Sequence, residues 1–325
     1  MIRAALPIAL LALLCLASLM LGARSGIDLA DLAALFAAPV PGNAEEIVVR
    51  ELRLPRTLGA VIAGGALGMA GALIQTLTRN PLTDPGLLGV NAGAALGIVT
   101  TVWIAGPLAQ SALITPALAG AFAALGIAWT IGASSRSPLT LILAGTALTA
   151  LLSAILRGMI LSDRATLDVY RDWLVGVLDR ADGTTVAIGF ALAAIGTAFA
   201  IPASRRLDTL ALGSDLANAL GTNLVAARFL TLSAIGILAT AAVLVSGPLL
   251  FVGLVAPHLA RAQGLQTTPA LMVGSGAIGA ILLLIADIAG RIIAPGLVIE
   301  AGLGVTLIGV VFLIWIVRRE GRNPA

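Results

Sequence analysis

One segment, residues 57–78, constrains the fold more than any other, because it is apolar over the whole length of a membrane-spanning helix. About 20 residues suffice to cross the hydrocarbon core of a bilayer. Directly after it the chain breaks in NPLTDPG (80–86), and a further apolar segment follows. Lipid cannot hydrogen-bond the free N–H and C=O groups of such a break, so this backbone must contact protein or line a cavity. The pattern is typical of a transport path.

The composition supports a polytopic membrane protein. Of the 325 residues, 59% are apolar and only 11% are charged, which is too few to cover a soluble surface of this size. The 37 glycines favour close approach of helices in lipid. We therefore expect an all-α fold with about ten transmembrane helices and a single membrane domain over residues 1–325.

The expected helices follow from the apolar segments and the breaks between them. A short apolar piece at 249–260 completes a set of ten, which places both termini on one side of the membrane. Arg318-Arg319 directly follows a span and indicates that this side is the cytoplasm. The full-length spans are expected at 4–23, 57–78, 86–106, 112–133, 138–162, 184–202, 225–246, 270–290 and 297–317.

The arginines are distributed almost evenly between the two sides in this topology, with ten inside and nine outside. Either the topology is wrong, or outer arginines are kept to dock an acidic partner. Arg50, Arg53 and Arg56 stand together at one helix entrance and favour the second interpretation. Their alternative role is anchoring to lipid headgroups or pairing with Glu51.

The chain contains no lysine, since all 19 basic residues are arginine. A Walker A loop needs its lysine to reach nucleotide phosphates, so ATP-driven work requires another subunit. The single histidine, His258, has no partner set that would form a metal site, and we predict no catalytic residues, metal or cofactor. The net charge of +3 gives no nucleic-acid signal. An ion-coupled transporter would need intramembrane carboxylates, and only Asp287 and Glu300, both near span ends, are candidates.

Residues 205–223 read as two short amphipathic helices on the cytoplasmic side. Gly213 and Gly221 would end them, and Ser214 would be the N-cap of the second. The polar face is acidic and amidic rather than basic, which favours docking to a protein over lying on lipid. The apolar face would consist of Leu207, Leu210, Leu216 and Leu220.

Three further features bear on the path. A second break, Gly247-Pro248 to Ala256-Pro257, faintly echoes the first and points to an internally repeated transporter. Asn80 lies in the first break, and this position favours a path-lining role. Gln75 could either line the path or form interhelical hydrogen bonds, and the sequence does not favour one of these. Asp287 and Arg291 are four residues apart and can pair on one helix face.

The ordered motifs of the chain resemble those of the FecCD-type permeases, the membrane subunits of ABC importers for ferric siderophores, haem and vitamin B12. The resemblance covers nearly the whole chain. It is carried by RLPRTLGAVIAGGALGMAGALIQTLTRNPLTDPGLLGVNAGAALG (53–97), LILAGTAL (141–148), LALGSDLANALG (210–221), GPLLFVGLVAPHLAR (247–261) and ADIAGRIIAPG (286–296).

The resemblance implies a type II ABC importer permease fold without enzymatic activity. It implies a second permease subunit, identical or related, two cytoplasmic ATPase subunits, and a periplasmic or lipid-anchored substrate-binding protein. The substrate would be a ferric siderophore, with a catecholate of the enterobactin type favoured and vitamin B12 or haem as alternatives. The location would be the bacterial inner membrane, in contact with lipid.

The resemblance also assigns roles to residues. Arg53, Arg56 and Arg291 would receive acidic residues of the binding protein, and Asn80 and Leu82 would lie at the cytoplasmic gate. The segment 205–221 would couple to the ATPase. Its expected coupling residues are Leu210, Gly213, Ser214, Asp215, Leu216, Leu220 and Gly221.

Overall fold

The structure is a computed structural model, and every described element is helical or a turn. The residues described are 2–22, 28–29, 32–33, 44–133, 138–174, 176, 178–179, 181–211, 213–219, 221–293 and 299–320.

Twelve α-helices can be followed along the described ranges, together with a 3₁₀ turn at Pro85–Leu88. They are α1 (Ile2–Met20), α2 (Ala44–Thr78), α3 (Val90–Ala105), α4 (Gln110–Ala133), α5 (Pro138–Ser162), α6 (Arg164–Leu174), α7 (Gly183–Ala211), α8 (Ser214–Ala219), α9 (Leu224–Ser246), α10 (Val252–Ala262), α11 (Thr268–Ile293) and α12 (Ala301–Glu320).

Ten of these helices correspond to the ten that the sequence predicts. Six are long and apolar enough to cross a membrane, namely α2, α4, α5, α7, α9 and α11. Shorter apolar stretches lie in α1, α3 and α12, and α10 is the expected short helix. The all-helical membrane fold is confirmed.

Three helices form the centre of the bundle. In α2, α9 and α11, 72% of the most apolar window is buried, against 22% in α4 and 28% in each of α5 and α7. A helix can be apolar on every side and only partly covered by protein. Its uncovered surface is then available to lipid or to a partner subunit. α7 is therefore peripheral, and its end carries the first part of the predicted coupling segment.

Small residues set the close packing of α2 against α11. Gly64 lies against the backbone of Gly279, and Gly68 lies against the backbone of Ser275, with no room for a Cβ at either glycine. Gly71 similarly lies against the backbone of Gly253. The predicted role of these glycines as a packing surface is confirmed, and α2 and α11 consequently run antiparallel in direct backbone contact.

Helix boundaries differ from the predicted ones at three places. α2 begins at Ala44, well before residue 57, and widens into a π-helix at Val48–Arg53 just before Pro55, which has no N–H to donate. α7 continues past Pro202 to Ala211, so the first of the two predicted short helices is the end of a long one. α6 was not predicted, because its amphipathic pattern lies between two longer apolar runs.

Candidate functional site

A buried carboxylate, Asp287 on α11, organises one end of the bundle. Its Oδ1 accepts a hydrogen bond of 2.7 Å from Nε of Arg56 on α2. Its Oδ2 lies 2.8 Å from Nη2 of Arg291, the i,i+4 pair that the sequence predicts. Asp287 is fully buried, and such a charge is tolerated only when opposite charges surround it. The structure thus brings two of the three predicted docking arginines onto one carboxylate.

The third predicted docking arginine, Arg53, binds the last carbonyl oxygens of α1. Its Nη1 donates to the carbonyl oxygens of Leu19 at 2.8 Å and Met20 at 2.9 Å. Arg291 also contacts the end of α1. Its Nη1 lies 3.0 Å from the carbonyl oxygen of Ser18, and its Nη2 lies 2.7 Å from the hydroxyl of that serine. The last carbonyls of a helix lack partners within the helix, and cations there complement its dipole. We call Arg53, Arg56, Asp287 and Arg291 the arginine cluster.

One more acid reaches this cluster from the loop before α7. Asp179 forms an ion pair with Nη1 of Arg56, and its side chain is 36% exposed, in contrast to the buried Asp287. Arg56 and Arg291 therefore share two aspartates, and Arg53 lies beside them on the last carbonyl oxygens of α1. Such an end can receive a carboxylate from outside, most directly in exchange for the exposed Asp179.

The two sequence breaks are adjacent in space at the opposite end of α2. A non-glycine residue in the left-handed region marks each of them: Arg79 at φ 52° directly precedes the first break, and Phe251 at φ 69° lies in the second. The ring of Pro85 in the first break packs against Gly253 at the start of α10. A Cβ on Gly253 would overlap this ring. Pro257, however, lies inside α10, so the second break ends earlier than the sequence suggests.

Gln75 joins the two breaks. Its Nε2 lies 3.3 Å from the carbonyl oxygen of Thr83, 3.2 Å from that of Gly253 and 3.3 Å from that of Leu254. Its Oε1 accepts a hydrogen bond of 2.7 Å from Nη1 of Arg261. Gln75 is almost completely buried, so the structure favours the interhelical hydrogen-bonding role over a path-lining one.

The predicted gate residues lie at the surface of the first break. Oδ1 of Asn80 accepts a hydrogen bond of 2.9 Å from the backbone N–H of Leu82, which closes a local turn. Both residues are exposed, and Leu82 is a large apolar side chain at 43% exposure. Within the same loop, Asp84 accepts a hydrogen bond of 2.8 Å from the N–H of Gly86. Burial outweighs this bond and raises the pKa of Asp84 to about 6.

The predicted coupling residues are divided between α7 and α8. Leu210 lies near the end of α7 and packs against the core, whereas Leu216 on α8 is 49% exposed. The predicted single apolar face is therefore wrong, because the two leucines point to different surroundings. Gly213 and Gly221 adopt φ values of 104° and 78°, as chain reversals at these points require.

The start of α8 also differs by one residue. The N–H of Ala217 donates to the carbonyl oxygen of Gly213, which puts Gly213 in the N-cap position and Ser214 at the first helical position. Asp215 lies in α8, and Leu220 falls outside the described residues.

Two side-chain contacts fasten the end of α7 to the central helices. Nη2 of Arg79, directly after α2, donates to the carbonyl oxygen of Leu210 at 2.9 Å. Oδ1 of Asp208 accepts from the N–H of Thr268 at 2.8 Å and from its hydroxyl at 2.5 Å, at the start of α11. Neither residue was assigned a role from the sequence, although the position of Arg79 at a helix end beside the break could have indicated one.

A groove of about 1000 Å³ lies between the first half of α2 and α7. Small and apolar residues dominate the described part of its lining, in which Arg50 is the one charged residue. Such a surface suits apolar contact rather than recognition of a charged solute. Among the described residues, no group of three His, Cys, Asp or Glu side chains could hold a metal ion. His258 instead packs edge-on against Phe312, with ring centroids 5.5 Å apart.

Comparison with known proteins identifies the kind of membrane protein. The ferric enterobactin transport system permease protein FepD of Escherichia coli (strain K12) is 41% identical over 290 residues, covering 87% of this chain and 85% of its own. The Fe(3+)-citrate import system permease protein YfmD of Bacillus subtilis (strain 168) is 36% identical, with coverages of 87% and 84%. The hemin transport system permease protein HmuU of Yersinia pestis is 35% identical, with coverages of 83% and 82%.

A solved structure shows the same fold. A metal-chelate type ABC transporter in an inward-facing conformation is similar with a TM-score of 0.85 at 26% identity, covering 96% of this chain and 97% of that one. The relatives are named as permeases, so the prediction of a transport subunit rather than an enzyme is confirmed. A model of the FecCD transport family matches residues 10–319, and the chain belongs to that family.

Proposed function

We propose that the chain is the permease subunit of an ATP-driven ABC importer that carries chelated iron across the inner membrane of a bacterium. The observation that carries the proposal is the family membership together with a buried arginine cluster at one end of α2 and a joined pair of breaks at the other. A helix with docking charges at one end and irregular backbone at the other can connect substrate delivery to substrate release.

The chain needs partners for this function. It has no lysine for a Walker A loop, so two cytoplasmic ATPase subunits supply ATP hydrolysis. A second permease subunit, identical or related, completes the path, and a periplasmic or lipid-anchored binding protein delivers the substrate. The likeness to a metal-chelate type ABC transporter supports this assembly.

Each part of the site has a role in this proposal. Arg53, Arg56 and Arg291 receive acidic groups of the binding protein on the outer side. Asn80 and Leu82 lie at the cytoplasmic gate, supported by their exposure on the broken segment. The segment 205–221 couples to the ATPase, supported by the outward-facing Leu216. Both termini are then cytoplasmic.

A ferric catecholate is the first candidate substrate, because the relative at 41% identity is named for ferric enterobactin. Haem is a second candidate, since a relative at 35% identity is named for hemin. The apolar groove lining gives no chemical signature that separates the two. Vitamin B12 is a further alternative within the resemblance.

Reconstitution tests the proposal. The chain would be placed in proteoliposomes with candidate permease, ATPase and binding-protein partners, and uptake of a ferric tris-catecholate, ferric citrate and haemin would be measured. ATP-dependent uptake of the ferric catecholate is expected. Uptake driven by an ion gradient without an ATPase would contradict the importer proposal, whereas ATP-dependent uptake of haemin alone would change only the substrate.

A further inference from the structure

We propose that Asp208 and Arg79 are positioning residues that fasten the coupling segment 205–221 to α2 and α11 together. The inference rests on the proposed function, because it describes how a movement imposed by an ATPase would reach the helices that carry the arginine cluster.

The first observation is that α2 and α11 each have their own anchor to the end of α7. Arg79 follows the last residue of α2 and reaches the carbonyl oxygen of Leu210. Asp208 accepts both the N–H and the hydroxyl of Thr268, the first residue of α11. The initial N–H groups of a helix are normally capped by a residue just before it, but this cap comes from a residue 60 positions earlier.

The second observation is that α2 and α11 are joined over their length. Their small residues meet at backbone contact in the middle of the two helices. At the far end, the hydrogen bond between Arg56 and Asp287 joins them again. From Arg56 to Thr78 a helix extends for about 33 Å at 1.5 Å per residue. Two close-packed helices held at both ends respond to displacement as one body rather than by independent bending.

The third observation is the position of the element that carries the coupling segment. α7 is peripheral, with 28% of its most apolar window buried, while α2 and α11 are central with 72% each. Asp208 and Leu210 stand where α7 turns into α8. A displacement of α8 by a partner reaches α9 through the packing of α7 against it, and it reaches the ends of α2 and α11 through these two side-chain contacts.

The test uses the complete reconstituted transporter. The measured quantities are substrate molecules transported per ATP hydrolysed and stimulation of ATP hydrolysis by the binding protein. Asp208→Ala and Arg79→Gln are each expected to lower transport per ATP about fivefold or more. Asp208→Asn keeps an oxygen acceptor for Thr268 and is expected to stay within about twofold of wild type.

Further measurements separate positioning from a merely structural role. Assembly with the ATPase should be unchanged in Asp208→Ala, and its melting temperature should fall only by the small amount that the loss of one helix cap costs. Thr268→Val, which removes one donor, provides a milder variant of the same contact. Asp168→Ala on α6 is a matched control, because this acid is exposed and pairs only with the nearby Arg171 among the ion pairs described.

Three outcomes would overturn the inference. The first is unchanged transport per ATP in Asp208→Ala and Arg79→Gln, and the second is low transport per ATP in Asp208→Asn. The third is a loss of transport in Asp208→Ala that failure to assemble with the ATPase explains completely. If the wild-type complex itself shows no ATP-dependent uptake, the proposed function fails instead.

Discussion

Arg56 and Asp287 are 231 positions apart in the chain, yet Nε of the arginine lies 2.7 Å from Oδ1 of the aspartate. This pair joins α2 to α11 at the end where the sequence predicts binding-protein docking. The same aspartate holds Arg291, so one buried carboxylate positions two docking candidates. The charge pairing inside the subunit therefore uses the same side chains as the proposed charge pairing with a binding protein.

Removal of the buried carboxylate should destabilise the subunit strongly. In Asp287→Ala, Arg56 and Arg291 lose their shared counter-charge, and breaking a buried ion pair costs about 3–5 kcal/mol. We expect a clear fall in the melting temperature of the purified protein in detergent. Asp168→Ala, which removes an exposed acid, should change the unfolding free energy by less than about 0.5 kcal/mol. Equal effects of the two substitutions would contradict the central role of Asp287.

Two substitutions, one beside the arginine cluster and one within it, should change binding-protein affinity in opposite directions. Asp179→Asn removes the exposed carboxylate that occupies Arg56, so a docking acid meets less competition, and the Kd should fall by up to about fivefold. Arg56→Gln should raise the Kd about tenfold, because a docking charge is lost. The Kd would be measured at low and physiological salt, since screening weakens both effects.

The exposed pair Asp168 and Arg171 on α6 provides the control for this experiment, because its side chains are 60% and 71% exposed. Asp168→Asn and Arg171→Gln should leave the Kd unchanged. If Asp179→Asn weakens docking instead, then Asp179 orients Arg56 for the partner rather than competing with it.

The sequence predicts what depends on local pattern. The span at 57–78, the break at 80–86 and the i,i+4 pair of Asp287 and Arg291 all follow from neighbouring residues. The contact of Arg56 with Asp287 does not, because it exists only once α2 and α11 pack antiparallel at backbone distance. The end of α7 was mispredicted because a helix that leaves the membrane has no physical need to stop at the polar Arg205-Arg206.

The same distinction explains Gln75. A polar residue near the end of an apolar span indicates hydrogen bonding or path lining, and the sequence offers no way to choose. The choice depends on Gly253 and Leu254, whose carbonyls come to Gln75 only because the two breaks meet. Long-range backbone partners of this kind leave no periodic signal in the sequence.

Two glycines on α2 should respond differently to alanine. At Gly68 a Cβ would overlap the backbone of Ser275, so Gly68→Ala must push α2 and α11 apart, at a cost of about 1–3 kcal/mol. At Gly65 the nearest atom to a Cβ is the carbonyl oxygen of Gly276 at 3.7 Å, an ordinary contact. Gly65→Ala should be neutral or stabilising by up to about 1 kcal/mol, because alanine favours helix. An unchanged or raised melting temperature in Gly68→Ala would show that the helices do not meet at Gly68.

The stability of the first break should depend on pH through Asp84, which lies in the loop between α2 and α3. Burial raises the pKa of this carboxyl to about 6, above its ordinary value of 3.8. The folded state therefore prefers the protonated form, and this contribution to stability is complete below pH 3.8 and is lost as the pH rises through about 6. Asp84→Asn is permanently neutral, and its Oδ1 can still accept the hydrogen bond from the N–H of Gly86.

The variant should accordingly match the wild type in melting temperature near pH 4 and exceed it above pH 7. The difference should grow mainly between pH 4 and pH 6, the interval set by the two pKa values. Asp168→Asn, at an exposed site on α6, should give no such pH-dependent difference. If the difference in melting temperature between wild type and Asp84→Asn stayed constant from pH 4 to pH 8, the loop would hold Asp84 equally well in both protonation states. That result would contradict its raised pKa.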